Sequence, residues 1–157
     1  MKPSQDSPDF PNAFYRVSVK ALYVQDGKIL LAKDCSNPEV GREWEWELPG
    51  GGLDFGEAPT NGLVREIKEE MGLTVTHIEK TPTYLWSGKH GPGRGMDWYW
   101  VLIPAFRVEL KDLNFIPSDE CREIRFFTKD ELREHKDDLS PQIHKLIDLF
   151  DPADFES

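Results

Sequence analysis

Between Gly51 and Leu73 the chain reads GGLDFGEAPTNGLVREIKEEMGL, a glycine-rich turn running into a segment that carries Arg65, Glu66, Glu69 and Glu70 within six residues. On a helix, with about 100° between successive residues, Glu69 and Glu70 fall roughly 60° and 40° to either side of Glu66. Leu63, Val64, Ile67 and Met71 fall roughly 60° to 160° around, so an apolar stripe lies beside an acidic one. Like charges at i, i+3 and i+4 repel. Packing gives no reason to stack them, whereas a hard divalent cation does, because Mg²⁺ takes carboxylate oxygens and shares its other positions with phosphates.

A glutamate-rich helix face is commonly nothing more than solvated surface, and it is the spacing that lifts this one above that background. Glu57 stands six positions after Gly51, Arg65 eight after Glu57, and Gly72-Leu73 close the segment. The pattern is similar to the Nudix box, G-x5-E-x7-R-E-U-x-E-E-x-G-U with U a bulky apolar residue. Gly51, Glu57, Arg65, Glu66, Ile67, Glu69, Glu70, Gly72 and Leu73 fill every fixed position. The chain thus resembles the Nudix hydrolases. That resemblance implies an α/β fold, a Nudix-like α/β/α sandwich with a mixed sheet, over roughly residues 14 to 150.

At 157 residues the chain is long enough for one domain with a real core, expected over residues 14–157. Residues 1–13, with three prolines and no apolar run, read as a disordered tail and not as a secretory signal. No stretch approaches the ~18 apolar residues that span a bilayer. Cys35 and Cys121 fit no metal or disulfide spacing and read as small packed residues of a reduced, cytoplasmic protein. A net charge of −10 argues against strong nucleic-acid binding, which needs a basic stripe, but not against a small polyphosphate met through bound cations.

Along the chain, Tyr15 to Val24 and Lys28 to Ala32 read as strands of a hairpin turning at Asp26-Gly27. Residues 34–43 read as a loop. Trp44 to Leu48 alternates like a half-buried strand that Pro49 and the glycines stop. The helix is expected from near Ala58 to a C-cap at Gly72. One or two strands follow up to Trp86, then a mobile glycine loop from Gly88 to Gly95, then a long strand from Asp97 to Leu110 broken or bulged at Pro104. Glu123 to Phe127 is a short strand, and Thr128 with Glu131 forms a capping box. Ser140-Pro141 opens a last helix whose face is Ile143, Leu146, Ile147 and Phe150. The order β-β-β-α-β-β-α-α places a mixed sheet between helices.

The Nudix resemblance implies metal-dependent hydrolysis of a nucleoside diphosphate linked to another moiety, with Mg²⁺ or Mn²⁺ holding the phosphates. Expected metal residues are Glu69 and Glu70 on the exposed arc of the helix, Glu66, the carbonyl of Gly51, and Glu57 directly or through water. Glu66 is also a candidate proton acceptor. Arg65 is expected to act as a fork that fixes a glutamate of the same site. Glu120, before the last strand, is a further candidate acid or base, with Asp119 and Glu123 beside it. Lys89 and Arg94 could meet phosphate when the glycine loop closes, and Trp46 is one of several aromatics on which a base could stack. The expected partner is a small nucleotide substrate, with no membrane and with a homodimer as an option. Two other activities fit such a fold: nucleotide binding without catalysis, and diphosphate isomerisation, which requires an added cysteine in an enclosed pocket.

Overall fold

A computed structural model describes residues 15–34, 44–90 and 98–156. The tail 1–13, Cys35, most of the 34–43 loop and Arg94 lie outside the described residues. The first strand, β1 (Tyr15–Leu22), is followed by β2 (Val24–Gln25) and β3 (Lys28–Asp34). The last two pair antiparallel with Gln25 opposite Lys28. Asp26 and Gly27 both take positive φ, 53° and 75°, which is the turn twist that matches a two-residue hairpin.

After β4 (Glu45–Glu47) the chain does not stop at the glycines as the sequence suggests. Gly50–Gly52 form β5, antiparallel to β1 with Val19 opposite Gly51 and Lys20 opposite Gly50. Gly50 has φ 132°, and a Cβ there would collide with the Val19 carbonyl, so only glycine brings β5 this close. Helix α1 (Pro59–Met71) begins after Ala58 with Pro59 in its first turn and ends on Gly72 in the left-handed conformation.

Beyond it come β6 (Val75–Ile78), β7 (Tyr84–His90), β8 (Tyr99–Leu110) and β9 (Cys121–Phe127). Residues 88–90 of the expected glycine loop belong to β7, where Lys89 lies opposite Trp100. Nor is β8 broken or bulged at Pro104. Leu85 pairs opposite it in unbroken register, and the parallel ladder to β1 skips this point but resumes on the same offset at Lys20 opposite Ala105. A proline costs a strand one N–H, not its direction.

Two sheets result, where the sequence suggested one. The first is mixed, in the order β5-β1-β8-β6 with β7 also on β8; the second is antiparallel, β2-β3-β4 with β9 on β3. Helix α1 covers one face through Leu63, Ile67 and Met71 against Val19, Ala21 and Phe106. Val64, assigned above to that stripe, is 38% exposed. The other face packs on the C-terminal segment through Leu22, Trp86, Phe127, Leu146 and Phe150.

There α2 (Lys129–Glu134) carries the capping box of Thr128 and Glu131. Ile143, Leu146, Ile147 and Phe150 are all buried, but not on one helix. Ser140 caps a 3-10 turn at Pro141–Ile143, and a separate α3 (Leu146–Leu149) follows. Thr128→Ala removes the cap and should lower stability by about 1 kcal/mol. For a chain of this size that is a melting temperature lower by about 2–4 °C, readable by calorimetry.

Candidate functional site

The site is assembled where α1 passes β5. A Cβ on Gly51 would lie 2.9 Å from Cδ and 3.0 Å from Oε2 of Glu66, so the carboxylate rests directly on the glycine backbone. The glycine therefore admits Glu66, which a side chain at position 51 would displace. Glu66 in turn hydrogen-bonds Glu70. Burial first, then that bond and the charge of Glu66, hold the Glu70 carboxyl well above the usual carboxylate range; Asp34 adds to the effect and Lys20 opposes it. Glu70 is thus half-buried and turned toward Glu66, not set on an exposed arc.

Arg65 orders the rest. Its Nε and one terminal nitrogen donate to the two oxygens of Glu57 at 2.7 and 2.9 Å, while the other terminal nitrogen reaches Glu66 at 3.2 Å and Glu69 at 3.1 Å. One guanidinium fork thereby ties three glutamates from loop and helix together. Hydrogen bonding from Arg65, helped by the Asp54 N–H, holds the Glu57 carboxyl down to about 2. Glu57 therefore stays ionised at any working pH. Both its oxygens are already engaged.

Glu120 is exposed, and its N–H lies 3.4 Å from the Ser118 hydroxyl, which donates to the Glu70 carbonyl at 2.7 Å. The turn bearing Glu120 is thus tied to the last turn of α1, beside the acidic pair. Among the described residues no three Asp, Glu, His or Cys side chains already converge on a point that could hold an ion. Glu66 and Glu70 meet each other, and Arg65 engages Glu57, Glu66 and Glu69.

Three residues of the site have no place in the sequence motif. Lys20, 4% exposed in β1, lies 3.3 Å from the Leu48 carbonyl and 3.6 Å from Glu47, which is 3% exposed. Asp34, at the end of β3, acts electrostatically on Glu70. The only signal for Lys20 is a charge inside an apolar strand, SVKALYV. Glu47 reads as the solvent side of an alternating strand but is buried along with its neighbours Trp46 and Leu48.

The aromatics divide sharply. Trp46 is 5% exposed and packs edge-on to Phe127 with Lys33 over its ring, so the core takes the ring the sequence offered for stacking. Tyr84 donates to Asp154 at 2.6 Å and Trp86 to the Gln142 carbonyl at 2.7 Å, both as anchors of the C-terminal segment. Trp100 is 40% exposed, stacked on Tyr15 and edge-on to Trp98, and Lys89 lies over the Trp98 ring at 4.7 Å.

Gly51→Ala should displace the Glu66 carboxylate, the flexible end of a side chain, and so leave the melting temperature within about 2 °C. The same change should weaken Mn²⁺ binding, measured by calorimetric titration, by about tenfold or more. An affinity equal to wild type would show that the glycine does not seat Glu66 for a cation.

Comparison with known proteins identifies the family. The family described as NUDIX domain matches residues 14–150. A MutT-like protein of Streptomyces ambofaciens is 38% identical over 140 residues, which cover 88% of this chain and 79% of that protein. An RNA pyrophosphohydrolase of Ruthia magnifica subsp. Calyptogena magnifica is 40% identical over 75 residues, 45% of this chain and 38% of that protein, so the match spans well under half of that relative's length. A MutT protein from Methanosarcina mazei Go1 shares the fold with a TM-score of 0.66 at 21% identity, covering 94% of this chain and 100% of that one. With a family match across nearly the whole described fold and every fixed motif position filled, this chain belongs to the Nudix hydrolase family.

Proposed function

We propose that this chain is a pyrophosphohydrolase that cleaves the diphosphate linkage of a nucleoside diphosphate joined to another group, with Mg²⁺ or Mn²⁺ as its cofactor. The observation that carries this reading is Glu66, seated against Gly51, beside Glu70, whose carboxyl burial holds above the usual range. Two carboxyls held in contact in a half-buried site sit uneasily unless something positive joins them. A hard cation fits that donor set, with Glu66, Glu70 and the Gly51 carbonyl as the inner ligands. Glu69 is the next candidate, on the exposed side of the same turn. When bound, the ion would polarise phosphate oxygens and neutralise charge on the leaving group.

The chain's own residues supply the remainder. Arg65 orients Glu66 and Glu69 and keeps Glu57 ionised beside them. The proton released by the attacking water goes to a carboxylate, for which Glu66 and Glu120 are the candidates by position. Trp100, Trp98 and Lys89 offer a planar surface and a cation for the base or a phosphate of the substrate. Names of relatives, an RNA pyrophosphohydrolase and a MutT-like protein, support a nucleotide substrate. The acidic surface favours a small one over a long nucleic acid.

No helix among the described residues is long and apolar enough to cross a membrane, which suits the cytoplasmic site of action that we propose, alone or as a homodimer. The isomerase reading needs an added cysteine and glutamate around an enclosed pocket. Cys121 is 1% exposed in the core, and burial pushes its thiol up to about 12, so it does not serve; Cys35 lies outside the described residues.

Activity on nucleoside diphosphate derivatives should vanish in EDTA and return with Mg²⁺ or Mn²⁺. Turnover that persisted in protein shown metal-free by elemental analysis would overturn the reading. Glu70→Gln replaces a half-buried carboxyl by its neutral isostere, so the melting temperature should hold or rise slightly. Its kcat should fall by at least about tenfold, equal to 1.4 kcal/mol of transition-state stabilisation. A variant retaining most of the wild-type rate would remove Glu70 from the essential ligands.

A further inference from the structure

Carboxylates outnumber cations on this chain, whose net charge is −10, so a place where the balance reverses needs a physical reason. Such a place lies in the C-terminal segment, on the face of the sheets opposite α1. A cavity of about 280 Å³ opens there, lined by Arg133, Lys136, His144, Lys145, Ile147 and Asp148. Packing makes the hollow. Leu132 of α2 and Leu146 and Ile147 of α3 are buried in one cluster, which holds the two short helices together on their inner sides. Arg133 follows Leu132, Lys145 precedes Leu146, and a 3-10 turn at Lys136–Asp138 comes directly after α2 and His135, so three cations reach one rim.

The segment does not place cations there for want of acids. From Lys129 to Phe150 it carries Asp130, Glu131, Glu134, Asp137, Asp138 and Asp148 against Lys129, Arg133, Lys136 and Lys145. Of those acids Asp148 alone lines the cavity. Of the cations only Lys129 does not, and its ammonium donates to the Phe150 carbonyl at 2.7 Å instead. Arg133 gives one terminal nitrogen to Asp130 at 2.9 Å. That pair is exposed, with 55% and 84% of the two side chains in water, so it holds the guanidinium only weakly. Lys145 gives one of its three N–H bonds to the Ser87 carbonyl at 2.8 Å. Among the described residues no side chain pairs with the Lys136 ammonium. Three like charges are thus gathered with their donors largely unspent.

We propose that this cavity is a second binding site, separate from the glutamates of α1, and that it takes a phosphate group. A hollow lined by one sign of charge concentrates the opposite ion. Arg133 offers a planar fork that matches phosphate oxygens, and Lys136 and Lys145 add point charges. The volume exceeds what the anion alone needs and lies near the lower end for small-molecule pockets, which suits a small phosphate ester. Ile147 supplies an apolar wall for the rest of such a molecule. The His144 ring is held in place because the Leu139 carbonyl, 3.2 Å away, can only accept, so Nε2 carries the proton and donates. The site needs no divalent metal and stands apart from the reading of the α1 glutamates.

Protein freed of metal on a chelating resin isolates this site, because the bare carboxylates of α1 then repel phosphate. Titration at low salt with inorganic phosphate, and separately with adenosine 5′-monophosphate, is followed through the backbone amide resonances of residues 133–148. Saturable shifts in that segment are expected with both. Tighter binding of the nucleotide assigns the cavity to an ester, and equal binding assigns it to the free ion.

Lys136→Gln combined with Arg133→Gln should weaken both ligands by at least about tenfold, the worth of one charge-assisted hydrogen bond. These are surface changes, so the melting temperature should stay within about 2 °C. Asp148→Asn removes the one opposing carboxylate and should tighten binding. The absence of saturable shifts in this segment overturns the proposal, as does a wild-type affinity in the double variant or a weaker one in Asp148→Asn. Should the double variant fold poorly, Lys136→Gln alone decides, since unchanged phosphate binding there is incompatible with a site built on that ammonium.

Discussion

Everything functional in this fold follows from how near α1 comes to β5. The helix carries its glutamates on the flank of its apolar stripe, so they reach the sheet only if the strand beneath them has almost no side chains. Three consecutive glycines meet that condition. Gly50 lets β5 lie against β1, and Gly51 lets Glu66 settle on bare backbone. The helix supplies a complementary gap at Gly62, where a Cβ would lie 2.7 Å from Glu57 and 2.5 Å from Leu53. Close packing of backbone against backbone, which elsewhere only fills space, here sets the separation of charged groups.

That proximity creates an electrostatic problem, and Arg65 answers it. On the water side, the Arg65 fork gathers Glu57, Glu66 and Glu69; with 30% of its side chain exposed, its worth lies in geometry more than in stability. Beneath the site, the buried Lys20–Glu47 pair holds the Leu48 end of the segment that leads to Gly51.

The sequence made α1, its caps and its carboxylate spacing plain because these are local: a 3.6-residue period, a proline in the first turn, a glycine after the last. The hairpin at Asp26-Gly27 and the capping box at Thr128 were legible for the same reason. What could not be read was set by partners distant along the chain. Gly50–Gly52 look like a strand breaker until β1 lies beside them. Trp46 and Glu47 look like the two sides of an exposed ribbon until Phe127 covers one and Lys20 meets the other. Pro104 looks like a break until a strand on each side holds β8 straight. Lys20 shows the same limit, because a lone lysine in a strand says nothing about the buried glutamate, Glu47, that it will meet.

Strand β7 pairs only with β8 among the described residues, so its other margin is a sheet edge there. Lys145 stands on that margin and donates to the Ser87 carbonyl at 2.8 Å. A charged side chain occupying an edge acceptor denies it to a strand from another molecule, and charge at a sheet margin is a common guard against intermolecular strand pairing. The C-terminal segment thus does more than complete the core behind Trp86. It helps keep a twisted open sheet from growing outward, so damage to this segment would expose the protein to aggregation before it touched the chemistry of the glutamates.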